Sequence, residues 1–195
     1  LVRSHHYERP VWTPVPGQTP HKAWQISGTW SAKAEVSALV GEAGPEWAVA
    51  TRDVTRTLEQ ALGSEDAKGW QLGWELIPTG AKGAIEMRFL GTTELAAVAG
   101  VEAGDAYLGV RKGDTLEVLA RRALPAASGN EDRGRSFEVD WDGKVAMVRV
   151  GKELLGSLVL PWSVPPQPVI QAAVRDGTGE VRSLVIRALV ESGAR

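Results

Sequence analysis

Three carboxylates on one short run have the type and spacing to do chemistry. They are Glu138, Asp140 and Asp142, within Ser136-Phe-Glu-Val-Asp-Trp-Asp-Gly143. Successive side chains of a strand point to opposite faces, so the three acids share one face and Phe137, Val139 and Trp141 share the other. Two carboxylates about 5–5.5 Å apart on one face are what retaining glycoside hydrolysis uses, one as nucleophile and one as general acid. A simpler reading competes with this. Asp142-Gly143 lies between two β-rich runs, the strongest short-range signal for a hairpin, and a type I′ turn there needs positive φ at both residues. Turn formation then explains Asp142, and a solvated strand face explains Glu138 and Asp140. A catalytic trio is the alternative, and the expectation is a protein without catalytic residues.

The eight tryptophans are the other chemically loaded set. An indole face can stack on the apolar face of a sugar ring. Trp70, Trp74 and Trp141 lie in alternating strands with other apolar residues, so they are expected in the core. Trp12, Trp47 and Trp162 lie in arm, loop-adjacent or proline-rich contexts and are the candidate ligand-binding residues. His5-His6 and His21 are imidazoles on a flexible arm with no preorganised partner, so no metal is expected there. Asp105, Asp114, Asp132 and Asp176 are loop acids, but the Asp-x-Asp-x-Asp-Gly spacing of a Ca²⁺ loop is missing, and turns explain each of them. Ca²⁺ therefore has no support from a motif, and no cofactor is expected. The sequence has no Gly-x-Ser-x-Gly elbow, phosphate loop or dinucleotide glycine motif.

The elements that must position these groups are bounded by composition. A chain of 195 residues suits one domain. Hydrophobic residues at 43% and charged residues at 24% are ordinary for a folded chain. A formal net charge of -2 leaves no nucleic-acid footprint and no strong pull to an anionic membrane. The absence of cysteine excludes disulfides and thiolate metal sites but leaves the compartment open. No apolar run reaches the length of a membrane span, so no transmembrane segment is expected in the chain. The first residue is Leu1 rather than Met. A processed product or an excised piece is expected, and a signal peptide or anchor upstream would lie outside it.

Residues 1–22 carry Pro10, Pro14, Pro16 and Pro20 and no periodicity, so they read as an extended arm or linker. Val11, Trp12 and Val15 give that arm a reason to dock, on its own domain or on a neighbouring copy. Residues 23–195 read as the domain. Trp30, Ala34 to Ala38, Trp47 to Thr51, Trp70 to Pro78 and Ala84 to Leu90 begin or form strands. For the last of these, either Ile85, Met87 and Phe89 or Glu86, Arg88 and Leu90 face inward. Residues 53–62 stay open between a helical turn, with Asp53 as cap, and an irregular strand. Residues 92–104 are too rich in Ala and Gly to place. Ala106 to Arg111 and Thr115 to Arg122 pair across Lys112-Gly113-Asp114, and residues 124–134 form a loop. The run from Ser136 to Leu160 is a three-stranded meander with turns at Asp142-Gly143 and Gly151-Lys152. A proline-rich connection, a strand from Val169, a turn at 176–179 and a strand over 181–190 close the chain. About a dozen short strands at this spacing predict an all-β antiparallel two-sheet sandwich or a barrel.

The meander, its Gly151-Lys152 and Leu155-Gly156 return and the closing strands around Gly177 and Gly179 resemble the laminin-G-like or concanavalin A-like sandwich of bacterial lectin and glucanase domains. The likeness covers roughly Trp24 to Leu189 and rests on pattern. It implies a jelly-roll sandwich with an N-terminal arm. It implies a non-catalytic recognition or assembly module that binds polysaccharide or protein through a sheet face or loops. Such bacterial domains often stand outside the cytoplasmic membrane, which implies a periplasmic or cell-surface setting. Laminarinase-type members carry Glu-x-Asp-x-Glu on one strand, and this chain departs from that pattern at Asp142, which weakens the glycoside hydrolase alternative. A third possibility is a structural subunit whose residues 1–22 dock on a neighbour to build a homo-oligomer or filament.

Overall fold

The computed structural model describes residues 5–6, 10–12, 24–27, 29–33, 38–55, 67–79, 83–125 and 135–191. They form β1 (His5–His6), β2 (Pro10–Trp12), β3 (Gln25–Ser27), β4 (Thr29–Lys33), β5 (Ala38–Ala43), β6 (Ala48–Asp53), β7 (Ala67–Thr79) and β8 (Ala84–Gly91). The second half contributes β9 (Leu95–Glu102), β10 (Asp105–Lys112), β11 (Thr115–Ala123), β12 (Arg135–Trp141), β13 (Val145–Val150), β14 (Glu153–Val159), β15 (Val169–Arg175) and β16 (Gly177–Glu191). The first sheet runs β14-β13-β12-β7-β16-β5-β4, with β1 and β2 also paired to β16. The second runs β11-β10-β9-β8-β15-β6-β3. All the strand pairings within both sheets are antiparallel. This is the two-sheet sandwich that the strand spacing predicts.

Alternation builds the core. Trp70, Leu72, Trp74 and Leu76 of β7 point inward and are buried, and Trp141, Val139 and Phe137 of β12 stand opposite the first three in register. Trp74 stacks on Phe137 with centroids 5.6 Å apart and planes 2° apart, and it tilts against Phe89 of the other sheet at 5.6 Å. One indole thus ties a cross-strand neighbour to the facing layer, and each such aromatic pair adds about 0.5–1.5 kcal/mol beyond its buried area. From the second sheet Ile85, Met87 and Phe89 point into the same core, which settles the choice of face on β8. The Ala- and Gly-rich residues 95–102 form β9, with Ala97, Ala99 and Val101 inward. Small side chains carry no strong periodic signal, yet they suit a strand pressed between β8 and β10.

Two sequence expectations need revision. In the β12–β13 turn only Gly143 has positive φ, at 96°. Asp142 flanks the turn instead of occupying its centre. Its Oδ1 accepts hydrogen bonds from the Lys144 and Val145 amides at 2.9 and 2.8 Å. The central pair is therefore Gly143-Lys144, so the expected type I′ turn at Asp142-Gly143 is not formed. A hairpin turn with both residues at positive φ is found instead at Ala103-Gly104, between β9 and β10. Residues 176–179 are not a hairpin turn either: Asp176, at φ 53°, is where the chain crosses from β15 in one sheet to β16 in the other. In the 53–62 segment, Asp53 Oδ1 accepts the Thr55 amide at 2.8 Å and Thr55 is helical, while residues 56–62 lie outside the described ones.

The backbones of the two arm stretches pair with the C-terminal half of β16, with His6 opposite Val190 and Trp12 opposite Ile186. The side chains of His5, His6 and Trp12, and residues 13–22 and 126–134, lie outside the described ones. Among the described residues no helix is long and apolar enough to cross a membrane.

A Cβ at Gly143 would meet nothing within 4 Å, so the cost of a side chain there is conformational alone. Gly143→Val should destabilise the fold by about 1–3 kcal/mol, because a β-branched residue is strained at positive φ. A denaturant melt with an unchanged midpoint would contradict this.

Candidate functional site

Glu138 and Asp140 project from the outer face of the first sheet, and both are tied to a cation. Arg149 Nη1 lies 3.3 Å from Glu138 Oε1 and 2.5 Å from Asp140 Oδ2. Gln71 Nε2 donates to Asp140 Oδ1 at 2.9 Å, and Arg187 Nη1 donates to Gln71 Oε1 at 3.4 Å. Burial pushes the Glu138 carboxyl up from its ordinary value, helped by the charge of Asp140 and opposed by Arg149 and Arg187. Asp142 is bound into its turn. The three acids do not converge: two form an ionic lattice with Arg149, and the third staples a hairpin.

The outer face of the second sheet is different in kind. On an antiparallel sheet that face is commonly solvated. Here it carries buried polar residues: Glu86 is 0% exposed, Arg111 4%, Gln171 5% and Arg88 8%, alongside Tyr107 at 1%. Alternation places them, since the odd residues of β8 fill the core and Glu86 and Arg88 must point away. Register then brings Gly100 opposite both Glu86 and Tyr107, and Gln171 opposite Arg88. Gly100 is what lets Tyr107 reach across β9, because a Cβ there would lie 2.8 Å from Tyr107 Oη and 2.7 Å from Glu86 Cβ.

The Glu86 carboxylate is the hub. It accepts from Arg88 Nε at 2.7 Å, Arg111 Nη2 at 2.8 Å and Tyr107 Oη at 2.5 Å. Arg111 Nε also lies 2.6 Å from Glu86 Oε1, but without hydrogen-bond alignment, so that approach is ionic. Burial drives the Tyr107 phenol well above its ordinary value, and the charge and hydrogen bond of Glu86 drive it further, so Tyr107 stays neutral and donates. Burial lowers the Arg111 pKa, but the hydrogen bond and charge of Glu86 outweigh it and raise the net value.

Trp47 stands over this network. The guanidinium carbons of Arg175, Arg111 and Arg88 lie 4.8, 4.9 and 5.3 Å from its ring centroid. Such contacts hold the indole electrostatically, and Trp47 remains partly exposed. Besides Arg111 Nε and Arg175 Nε, which make ionic contacts without a hydrogen bond, two further hydrogen-bonding capacities on this face are unused. Arg88 employs only Nε, and its terminal nitrogens have no partner among the described residues. Gln171 Nε2 donates to Thr51 Oγ1 at 3.0 Å, while its buried Oε1 accepts nothing.

Trp162, the other candidate with a described side chain, sits elsewhere. Its Nε1 donates to the Leu90 carbonyl at 2.8 Å. Its ring lines a cleft of about 480 Å³ with Trp141, Lys144, Val159 and Val164, beside the β12–β13 turn. A second cleft of about 460 Å³ lies by Arg122, Arg135 and the β13–β14 turn. Neither cleft includes Trp47. No described contact brings Trp47 and Trp162 together, and the Trp12 side chain lies outside the described residues. Among the described residues no three His, Asp or Glu side chains gather to hold a metal. The sequence reading missed Glu86, Tyr107, Arg111, Arg175 and Gln171. The available signal was Glu86-x-Arg88, two opposite charges on the non-core face of a strand whose neighbours are apolar.

No family model matches the sequence, and no curated protein matches it. Solved structures do match the fold. The carbohydrate-binding module CBM66 from Bacillus subtilis aligns with TM-score 0.64 and 13% identity, over 89% of this chain and 100% of that one. A Bacillus subtilis protein of unknown function with a galectin-like fold aligns with TM-score 0.66 and 9% identity, over 96% and 100%. The Emp47p carbohydrate recognition domain aligns with TM-score 0.57 and 9% identity, over 90% and 93%. The chain has the galectin-like, concanavalin A-like lectin sandwich fold.

Removing the hub should be far more damaging than removing an exposed partner. Glu86→Ala leaves two guanidiniums beside an empty buried position and should cost about 3–5 kcal/mol. Glu153→Ala, which breaks the exposed ion pair with Arg122, should cost about 0–1 kcal/mol. Equal losses in urea denaturation would contradict the role given to Glu86.

Proposed function

We propose that this chain is a non-catalytic sugar-binding module that holds polysaccharide against the Trp47 face. The observation that carries the reading is one partly exposed indole held by three guanidiniums beside an unused donor pair and an unused acceptor. An apolar ring surface with a few fixed polar groups is how a sugar is oriented. The groups are preorganised through Glu86, so little ordering entropy is lost on binding. The lectin-like fold and the matched carbohydrate-binding module support the same class. Catalysis is disfavoured because Glu86 is saturated by three donors and Glu138 and Asp140 are engaged by Arg149. The likeness to bacterial domains of this kind supports an extracytoplasmic setting.

Binding to a panel of soluble polysaccharides by affinity electrophoresis and calorimetry tests the reading. Trp47→Ala should weaken binding at least about tenfold, equivalent to about 1.4 kcal/mol, while Trp162→Ala should leave it unchanged. The reverse pattern would move the site to the Trp162 cleft, and no binding to any polysaccharide would refute the proposal.

The arm is read here as part of the domain rather than as an assembly device, because its described stretches pair with β16 of the same chain. Deletion of residues 1–22 should lower the melting temperature and leave the sedimentation mass per particle otherwise unchanged. A drop from oligomer to monomer would instead favour the homo-oligomer.

A further inference from the structure

We propose that the sugar held at the Trp47 face carries a carboxylate, as in the uronic acid units of an acidic polysaccharide. This rests on the sugar-binding reading and narrows it. Arg88 and Arg111 share a single buried carboxylate, Glu86, which leaves one positive charge in excess between them. Arg111 is committed, with Nη2 on Glu86 at 2.8 Å and Nη1 on the Asp114 carbonyl at 3.1 Å. Arg175 is answered by Glu102 at 2.9 Å and Asp176 at 3.5 Å. The excess therefore falls on Arg88, whose side chain is 10% exposed. A nearly buried cation without full compensation is costly, and a ligand that supplies the missing negative charge relieves that cost.

Arg88 spends Nε on Glu86, so the edge formed by its two terminal nitrogens remains. That edge is a planar fork matched to a carboxylate in bidentate fashion. The guanidinium carbon lies 5.3 Å from the Trp47 centroid, which places an apolar wall next to the fork.

A hydroxyl beside the carboxylate separates a sugar acid from other carboxylates. Gln171 stands opposite Arg88 in the ladder and has a buried, unpartnered Oε1. That atom calls for a hydroxyl donor near the carboxylate. A uronic acid ring supplies both groups at short separation. A neutral sugar leaves the charge unanswered, and an Asp or Glu side chain of a peptide brings no hydroxyl.

The test is calorimetry of the intact chain with polygalacturonate, alginate and hyaluronate, each as the free acid and as the methyl ester. At least one free acid should bind about tenfold tighter than its ester, consistent with a charge-assisted pair, and the preference should shrink as salt rises. Arg88→Gln should bind both forms alike, with its fold checked by circular dichroism. Should that variant not fold, the acid-against-ester comparison on the native chain decides alone. Equal or weaker binding of all three acids, with Trp47-dependent binding of a neutral polymer retained, would overturn the acidic-sugar proposal and leave the sugar-binding reading standing. Failure to bind any polysaccharide would remove both. A glutamate-rich peptide that binds as tightly as the best polyuronate would also overturn it.

Discussion

The buried carboxylate of Glu86 is the interaction on which the outer face of the second sheet depends. It lies under two guanidiniums and a phenol. Without it, Arg88 and Arg111 would repel each other across β9. With it, they are fixed at the distances from which they hold the indole of Trp47. A buried ionic group of this kind is seldom the most stabilising choice, since apolar side chains of similar size often do as well or better. What such a network does supply is fixed geometry, because every member constrains the next.

The sandwich makes that geometry possible from behind. Phe89 and Met87 alternate with Glu86 and Arg88 on β8, so the same strand that meets Trp74 in the core presents the charged pair outside. A one-residue slip of β8 would exchange the two sets and bury the charges in the apolar layer. Core packing therefore enforces the register of the polar face. Gly100 adds a local condition, keeping β9 low enough for Tyr107 to reach Glu86. The outer face of the first sheet is built by the same alternation but ends differently. Its acids are ion-paired with Arg149, and Gln71, itself held by Arg187, donates to Asp140, which leaves a structural lattice.

Much of the fold was legible in the residues. Period-two patterning identified β7 and β12 and placed Trp70, Trp74 and Trp141 inside, because large apolar side chains on one face have few alternatives to burial. The meander was legible from its turn residues, although the role of Asp142 was not. Asp-Gly marks a reversal, but whether Asp sits in the turn or caps it from outside depends on hydrogen bonds that composition does not reveal. β9 was illegible because alanine and glycine fit either face. The candidate site was legible only at Trp47. Its partners come from β8, β10 and β15, strands far apart in sequence, and two-residue patterns cannot report which sheet neighbours they will have. Arg175 sits beside Trp47 only because β15 pairs with β6 within the second sheet.

The direct check on the central claim is an NMR titration of the intact chain with the polysaccharide fragment it binds best, following the indole Nε1–H and arginine Nε–H resonances. The account predicts shifts concentrated at Trp47 and Arg88, with the Trp162 indole unmoved. Shifts confined to Trp141, Lys144 and Trp162, with Trp47 and Arg88 unaffected, would contradict it.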